Sequence, residues 1–310
     1  MEAIVSVILE SGRTAVELAL YILLPILVVM LALMKLLEAH GVLAWVANRL
    51  APLLRLFGLP GLGIFAMIKL LLVSFSAPVA TLALMDRNGT SLRHIAATFA
   101  MVLTMSQANV VFPMVAVGLN LPVILVTSLV GGLFAAALTY YLLARSLDDG
   151  AEGDAGAVSR VKERRSTMEI LADGGQEGMK IALASLPMLL LALCFVGTLE
   201  ALGAIPLLGA LMTPLLNLLG LPEATVLPIV TKFIAGGTAF MGVTLDLMNQ
   251  GLISAHDLNR MAGFVTHPLD LAGVAILGAA GKRVGAVARA AVLGALAGMV
   301  LRGVLHLLIF

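Results

Sequence analysis

Long apolar segments separated by short polar ones run through the whole chain, and the order is the same in each half. Each half opens with an apolar segment, near Val16–Glu38 and near Ile181–Glu200. Both are long enough to cross a hydrocarbon layer of about 30 Å as helices. A shorter segment follows, at Gly41–Phe57 and Gly203–Leu219. In the first half it carries Trp45 beside polar and basic residues, which predicts a helix lying in the membrane interface.

Three more segments complete the unit. The third is apolar but interrupted near its middle, the fourth contains a polar break, and the fifth is apolar throughout. The pattern therefore predicts an all-helical protein with two copies of one five-segment unit. In order, these segments are Pro60–Met85, Leu92–Pro113 and Pro122–Leu143 in the first half, and Pro222–Met248, Leu258–Leu277 and Val284–Leu308 in the second.

Short sequence matches about 162 residues apart support the duplication. After a one-residue shift, Lys69 also falls on Lys232. Duplicated membrane units are typical of transporters, whose substrate site lies between the two copies. The matches include Leu24-Pro25 with Leu186-Pro187, Leu37-Glu38-Ala39 with Leu199-Glu200-Ala201, and Gly58-Leu59-Pro60 with Gly220-Leu221-Pro222.

Composition places the chain in a membrane. Hydrophobic residues make up 61% of it and charged residues 12%, whereas a soluble domain has roughly 45–50% and about 25%. The net charge of +1 gives no reason to expect a nucleic-acid partner. Cys194 is the only cysteine, so neither a disulfide nor a thiolate cluster is available. Neither a GxxxxGK[ST] nor an HExxH motif occurs, and no enzyme activity is expected.

The third segment decides the topology. As a re-entrant hairpin with two arms of about 10 residues, each reaching about 15 Å, it leaves three crossings in each half and inverts the halves. Most basic residues then collect on one face, whereas Arg13, Arg260 and Arg302 stay on the other. Since basic residues in short loops mark the cytoplasm, the hairpin arrangement is favoured.

The predicted fold class follows. We expect an all-α polytopic membrane protein of two inverted repeats, each with three spanning helices (one of them broken), an interfacial helix and a re-entrant helical hairpin. The repeats should occupy residues 1–145 and 179–310. Residues 146–178 are polar and are expected to form a solvated cytoplasmic linker with room for one short helix. Both termini should be extracytoplasmic, in a bacterial cytoplasmic (inner) membrane.

The interruptions of the two hairpins are candidate binding positions. Lipid cannot satisfy the backbone groups that such breaks release, so they persist only against protein or a watery cavity. Freed helix ends also offer partial charges to a ligand. Alternatively, the glycines allow close helix packing and the serines bond back to their own helix. The residues are Ser74 and Ser76 in the first hairpin, and Gly236, Gly237 and Thr238 in the second.

The breaks of the fourth segments supply further candidates, either for binding or for hydrogen bonds between helices. Asp270 is the one carboxylate expected near mid-membrane, where acids are usually functional. His267, three residues earlier, lies on the same helical face, so this pair could relay a proton, hold a cation, or form a structural hydrogen bond. The candidates are Thr104, Ser106, Gln107 and Asn109 in the first half, and Thr266, His267 and Asp270 in the second.

Lys69 and Lys232 precede the two hairpin breaks at equivalent positions. An ammonium near the bilayer centre costs at least about 2.5 kcal/mol unless it is paired or hydrated. The two lysines therefore predict a pseudo-twofold cavity that favours an anion or an electron-rich ligand. The alternatives are snorkelling to an interface and a bond to carbonyls of a broken helix. Glu38 and Glu200, at the ends of spans, are expected to be interfacial caps or ion-pair partners.

The order of interfacial helix, hairpin, broken helix and spanning helix resembles the core of concentrative nucleoside transporters. The stretch Leu72–Pro78 lies where that family carries a Gly-Gln-Thr-Glu-Ala-Pro hairpin tip, with Ser76 replacing its glutamate. The stretch Leu37–Gly61 is also similar to the membrane domain of ferrous-iron transport protein B, although the Cys-containing segments of that family lack cysteine here. Together these features resemble the "nucleoside recognition" Gate domain group, which includes spore-maturation membrane proteins.

Three functions follow as hypotheses. The first is a transporter that moves a small polar solute, nucleoside-like or an organic anion, by alternating access. The second is a divalent-metal permease like the iron transporter, and the third is a non-transporting membrane scaffold. No cofactor is expected, and a coupling ion, H+ or Na+, is left open. The expected partners are the solute, the lipid bilayer and a second copy of the chain.

Overall fold

Helices account for every regular element in the part of the chain that the computed structural model describes, residues 2–73, 77–147, 166–203, 212, 214 and 216–310. The prediction of an all-helical membrane protein is confirmed. Within these ranges, five helices are long and apolar enough to cross a membrane. They are Val5–Ala39, Leu92–Val115, Leu121–Leu143, Thr167–Leu199 and Ala288–Ile309.

The described part of the first half contains eight α-helices, and π-helical stretches at Leu18–Leu23 and Thr139–Leu143 extend two of them. The helix bounds are α1 Glu2–Glu17, α2 Leu24–Ala39, α3 Val42–Leu54, α4 Gly61–Leu72, α5 Ala77–Arg87, α6 Leu92–Thr104, α7 Ala108–Val115 and α8 Leu121–Leu138.

The described part of the second half continues with α9 Thr167–Ala201, α10 Val226–Ala235, α11 Gly237–Asn249, α12 Ala255–Val265, α13 Leu271–Gly278, α14 Lys282–Ala286 and α15 Ala288–Ile309. The predicted breaks in the third and fourth segments fall between α4 and α5, α6 and α7, α10 and α11, and α12 and α13.

Two of the predicted helix starts are wrong. The first helix begins at Glu2 rather than near Val16, and α9 begins at Thr167 rather than near Ile181. The early start of α9 has a local cause, because Ser166 and Glu169 form reciprocal side-chain to backbone hydrogen bonds of 2.8 and 3.2 Å. This capping arrangement stabilises a helix N-terminus. The second part of the predicted linker is therefore helical and continuous with the span.

Helix α9 packs antiparallel against α2. The Nζ of Lys35 lies 3.0 Å from a carboxylate oxygen of Glu177 at one end of this contact. Gly174 and Gly178 allow the two backbones to touch, since a Cβ at Gly178 would lie 2.6 Å from the carbonyl oxygen of Leu27. Close backbone approach through small residues is the usual way in which membrane helices associate.

The predicted interfacial helix is α3. Its side chain Trp45 is 59% exposed, and the guanidinium of Arg49 lies 5.7 Å from the centre of the indole ring. The chain turns by 110° between the Trp45–Phe57 stretch and α4. Gly58 sits at this turn with φ +76°, and a Cβ there would collide with the ring of Tyr140 at 2.2 Å. A helix that meets the next one at such an angle can lie along the membrane surface.

Two pairs of short helices form the hairpins. Helices α4, α5, α10 and α11 contain 10 to 13 residues each, about 15–20 Å of helix, which is too short to span a membrane. In each pair the two helices pack side by side. The second hairpin breaks at Gly236, whose φ of +88° is a conformation that favours glycine. In the first hairpin, α4 ends at Leu72 and α5 begins at Ala77.

Broken helix α6–α7 lies at the centre of the protein, with 94% of its apolar span buried. Helices α8 and α15 pack beside it and run antiparallel, since Thr127 bonds His306 at 2.9 Å whereas Thr139 approaches Gly294. The start of α12 meets the end of the first broken helix, where the amide N–H of Asn120 donates to Asn259 Oδ1 over 2.8 Å. The equivalent spanning helices in these contacts are thus antiparallel. An inverted membrane topology, which stays a prediction, requires this pairing.

Candidate functional site

The two broken helices cross at their breaks and bond to each other there. The backbone N–H of Gln107 donates to the carbonyl of Thr266 over 3.0 Å. The hydroxyl oxygens of Ser106 and Thr266 lie 2.9 Å apart, and Gln107 Nε2 donates to the carbonyl of His267 over 3.1 Å. Four of the predicted residues therefore meet at one point, 160 residues apart in sequence. The crossing satisfies polar groups that lipid would leave unpaired.

Arg302 of α15 holds this crossing together. Its guanidinium donates to the carbonyl of Thr104, and Nη2 donates to the hydroxyls of Ser106 at 2.6 Å and Thr266 at 3.0 Å. On the opposite side, the N–H of Ser106 donates to the hydroxyl of Ser128 in α8 over 2.7 Å. The prediction that Arg302 lies on an outer face is wrong, because its side chain is completely buried.

Glycines make room for the arginine. A Cβ at Gly131 of α8 would lie 2.2 Å from the Cγ of Arg302, and one at Gly298 would lie 2.7 Å from both the carbonyl oxygen of Gly131 and the Cγ2 of Thr104. The side chain of Arg302 therefore runs between α8 and α6 through a channel that only glycine leaves open. Gly131 and Gly298 thus allow the helices to pack closely around the buried side chain of Arg302.

The tip of the second hairpin rests against this crossing. A Cβ at Gly237 would lie 2.5 Å from Gln107 Nε2 and 2.9 Å from Val110 Cγ2. A Cβ at Gly236 would lie 3.8 Å from the carboxylate of Asp270. The N-terminal end of α11 thus faces both breaks, and no side chain of the described residues caps it. Its first N–H groups have no partner within the helix.

Lys232 and Asp270 form a buried ion pair in the same cluster. Lys232 lies in the last turn of α10, its side chain is completely buried, and its Nζ donates to Asp270 Oδ2. The second carboxylate oxygen of Asp270 accepts from the N–H of Gly273 over 2.7 Å and so caps α13. The pair ties the second hairpin to the second broken helix. Removing either partner would leave an unpaired charge in the interior.

His267 does not pair with Asp270 as its spacing suggested. Its Nδ1 accepts from the N–H of Leu269 over 3.1 Å, within the break itself, because the chain leaves the helix after Val265. The ring is completely buried and lies 6.2 Å from the ring of Phe233. Its Nε2 has no hydrogen-bond partner in the described part of the protein. This nitrogen is available to a ligand.

Lys69, the repeat counterpart of Lys232, occupies a different environment. Its side chain is 23% exposed, its Nζ lies 3.7 Å from Glu38 Oε1, and it sits 4.9 Å from the centre of the Phe65 ring. The two lysines are therefore not equivalent, because each has a different carboxylate within reach. The expected symmetric cavity between two such ammonium groups does not follow from these contacts.

The remaining candidates divide into three groups. Thr104 and Asn109 are buried, and Thr104 also bonds back to the carbonyl of Ala100 in its own helix over 2.8 Å. Thr238, in the first turn of α11, is partly exposed. Ser74 and Ser76 lie outside the described residues.

Sequence reasoning missed Arg302, Ser128 and Phe233 as parts of the site. A signal for Arg302 exists, since Ala291, Ala295 and Gly298 precede it at helical spacing on one buried face of α15. Arginine on a face of small residues in a membrane helix points toward the protein interior rather than toward an interface. No comparable signal marks the serine or the phenylalanine.

The described residues offer no obvious metal centre. No group of three or more His, Cys, Asp or Glu side chains lies close enough together, in the part of the chain that the structure covers, to hold a metal ion. Cys194 lies in α9 and is partly exposed. Asp270, the buried acid of the cluster, already has an ammonium as its partner.

Comparisons with known proteins bear on the family and the fold. Residues 20–127 match the family model described as "Gate: Nucleoside recognition". No curated protein sequence is significantly similar to the chain.

Solved structures with the same fold include CNTnw, a concentrative nucleoside transporter, in several states. An inward-facing, substrate-bound structure is 18% identical, with a TM-score of 0.68, and covers 99% of this chain and 82% of that one. A variant in an outward-facing state gives the same TM-score and identity, covering 99% and 84%. A variant in an intermediate state gives 0.72 at 18% identity, covering 93% and 75%.

The fold thus defines a polytopic helical membrane protein. Residues 20–127 match the Gate nucleoside-recognition model, and the chain has the fold seen in CNTnw.

Proposed function

We propose that the protein moves a small polar solute across the membrane by alternating access. The solute, nucleoside-like or an organic anion, would bind where the second hairpin tip meets the crossing of the two broken helices. The observation that carries the proposal is the contact of Gly237 with Gln107, which brings an uncapped helix N-terminus against two helix breaks. Transporters of several folds bind substrates at such discontinuities near the middle of the membrane.

The donors and acceptors at this point suit a polar solute. The uncapped N–H groups of α11, the Nε2 of His267 and the unused donors of Lys232 lie in one cluster of buried residues. An ammonium has three donors, whereas Asp270 is the one hydrogen-bond acceptor of Lys232 among the described residues. Buried polar groups without partners are costly, so a ligand that satisfies them gains affinity.

The structural likeness to both inward-facing and outward-facing CNTnw supports alternating access over a fixed channel. This chain has short hairpin helices packed among long spanning helices, an arrangement in which one group of helices can move against another. The proposal leaves open whether H+, Na+ or no ion is coupled to transport.

The alternatives are less well supported. A metal permease needs several free oxygen, nitrogen or sulfur ligands, whereas a cation partner already neutralises Asp270. A scaffold hypothesis predicts lysines neutralised by carbonyl groups, whereas Lys69 and Lys232 both face carboxylates.

The test is uptake into proteoliposomes. Purified protein would be reconstituted and offered radiolabelled uridine, uracil and small carboxylates, with inward gradients of H+ and of Na+ in separate samples. We expect accumulation of at least one solute, reduced in Gly237→Ala, whose added Cβ pushes the hairpin tip from Gln107. The matched control is Gly12→Ala, whose Cβ meets its nearest neighbour at an ordinary 3.7 Å. Uptake no greater than in empty liposomes for every solute and gradient would overturn the proposal.

A further inference from the structure

We propose that the solute carries a negative charge, and that its anionic group lies against Lys232 and the N-terminal end of α11. This inference rests on the proposed function and narrows its substrate class. The reason is that the buried charged side chains of the described residues do not sum to zero, whereas a site for a neutral solute requires that they do.

The buried charged side chains do not cancel. Among the described residues, the fully ionic groups that are buried are Lys232, Arg302 and Asp270, two cations and one anion. Asp270 pairs with Lys232, so Arg302 is left with one carbonyl and two hydroxyls as its acceptors. These acceptors are dipoles and do not neutralise a charge. The described buried side chains around the crossing therefore carry one net positive charge.

Among the side chains that the structure describes, no Asp or Glu other than Asp270 is buried. Lys69 and Glu38 balance each other, at 23% and 33% side-chain exposure. An unbalanced charge in a low-dielectric interior is costly, and that cost is relieved when an ion of opposite sign binds nearby.

The local geometry favours the same sign. Lys232 has donors left after its bond to Asp270, and α11 begins two residues after the helix that carries it ends. The N-terminus of a helix bears a partial positive charge and exposes N–H groups. Gly236 and Gly237 have no side chains to cover these groups. The ammonium and the helix end thus offer an anion two kinds of donor at one place.

The expected ligand is a small monoanion. One negative charge on the solute brings the net charge of the buried cluster to zero. The moving part of a transporter would then change between its two states without carrying a net charge. A carboxylate on a flat heterocyclic ring meets this requirement and also fits the solute class proposed above.

Uracil and orotate form a matched pair of probes, because they share a ring and differ by one carboxylate. The experiment measures inhibition of uptake and ligand-induced thermal stabilisation of the intact protein with uracil, orotate and uridine. We expect orotate to act at concentrations about tenfold to a hundredfold lower than uracil, which is the range for one added charge-assisted hydrogen-bonded contact.

Variants test the charge count itself. Asp270→Asn keeps an acceptor for Gly273 and raises the net charge, so the preference for orotate should increase. Lys232→Met and Arg302→Gln each lower the charge to zero and should reduce it. Arg289→Gln, an exposed residue on the helix that carries Arg302, removes the same charge from the surface and should leave the preference unchanged. The preference is a ratio measured within one variant, so differences in yield do not affect it.

The outcomes separate the two proposals. The inference is wrong if uridine or uracil binds as well as orotate, or if the preference for orotate over uracil is the same in variants of different charge. The proposed function stands in either case. If uridine, uracil and orotate are neither moved nor bound, and no other solute is moved, both proposals fail.

Discussion

Arg302 and Ser106 lie 196 residues apart in sequence, and the guanidinium Nη2 of the arginine donates to the serine hydroxyl over 2.6 Å. The same nitrogen reaches Thr266 in the other broken helix. One side chain therefore fixes the relative position of two helix breaks. Such a junction is rigid because each of its groups has few alternative partners in a membrane interior.

Replacing Arg302 by alanine should destabilise the protein strongly. The change removes charge-assisted bonds to three acceptors, and we expect a loss of about 3 kcal/mol or more in the free energy of unfolding. Thermal unfolding in detergent measures it. Arg289→Ala, on the exposed face of the same helix, should change the stability by less than about 0.5 kcal/mol. Equal effects of the two variants would show that the buried hydrogen bonds of Arg302 contribute nothing to stability.

Breaking the Lys232–Asp270 pair should cost more than removing it whole. Lys232→Met leaves a buried carboxylate, and a loss of about 3–5 kcal/mol is expected. Adding Asp270→Asn should restore part of the stability, since no unpaired charge remains. A double-mutant cycle, followed by thermal unfolding, measures the coupling.

Lys69→Met is the matched control at the equivalent repeat position. Its partner Glu38 is partly exposed, so the expected cost is about 1 kcal/mol or less. If Lys69→Met and Lys232→Met destabilise the protein equally, the difference in burial between the two lysines does not affect their contribution to the free energy of unfolding.

The contact of Gly237 with the crossing should be sensitive to a single methyl group. Gly237→Ala places a carbon 2.5 Å from Gln107 Nε2, and relief of this overlap is expected to cost about 1–3 kcal/mol. Because the strain falls on the hairpin tip, uptake should decline more than stability. Parallel assays of uptake and thermal unfolding check this, and a variant with full uptake would contradict the placement of the site.

The inverted topology predicts which loops share a side of the membrane. The N–H of Arg283 donates to Asp86 Oδ1 over 3.2 Å, so the loops that carry these two residues lie on the same side of the membrane. With Cys194 replaced by serine, single cysteines introduced nearby at Asn88 and Lys282 should therefore react with a membrane-impermeant reagent from one side. A cysteine at the exposed His256 should react from the opposite side. Labelling of all three positions from the same side would exclude the inverted arrangement.

Much of the fold follows from local patterns in the sequence. Apolar runs predicted the spans, and clusters of polar residues, glycine or proline predicted the helix breaks, because each of these signals acts within a few residues. The early start of α9 was missed although Ser166 and Glu169 carry a capping spacing. The polar composition of residues 146–178 outweighed that short signal.

Several residues of the crossing stood out in the sequence, but their pairings could not be predicted. Ser106, Gln107 and Thr266 were marked as polar residues within apolar helices, and the structure brings them together; a role in binding stays a prediction. The partner of Lys232 could not be predicted, because Asp270 lies 38 residues away and its position depends on how two separate elements pack. Repeat symmetry misled the expectation for Lys69, since the equivalent break of the first half contains Gln107 and Asn109 but no acid.

The bond between Lys232 and Asp270 also limits how the protein can move. A displacement of the second hairpin away from the second broken helix would strand two charges in a dry interior, at a cost of several kcal/mol. These two elements must therefore travel as one rigid body, and the hydrogen bonds at the crossing attach the first broken helix to the same unit. If the proposed transport cycle takes place, we expect sliding at boundaries lined by aliphatic side chains, where neighbours can be exchanged without breaking a polar contact.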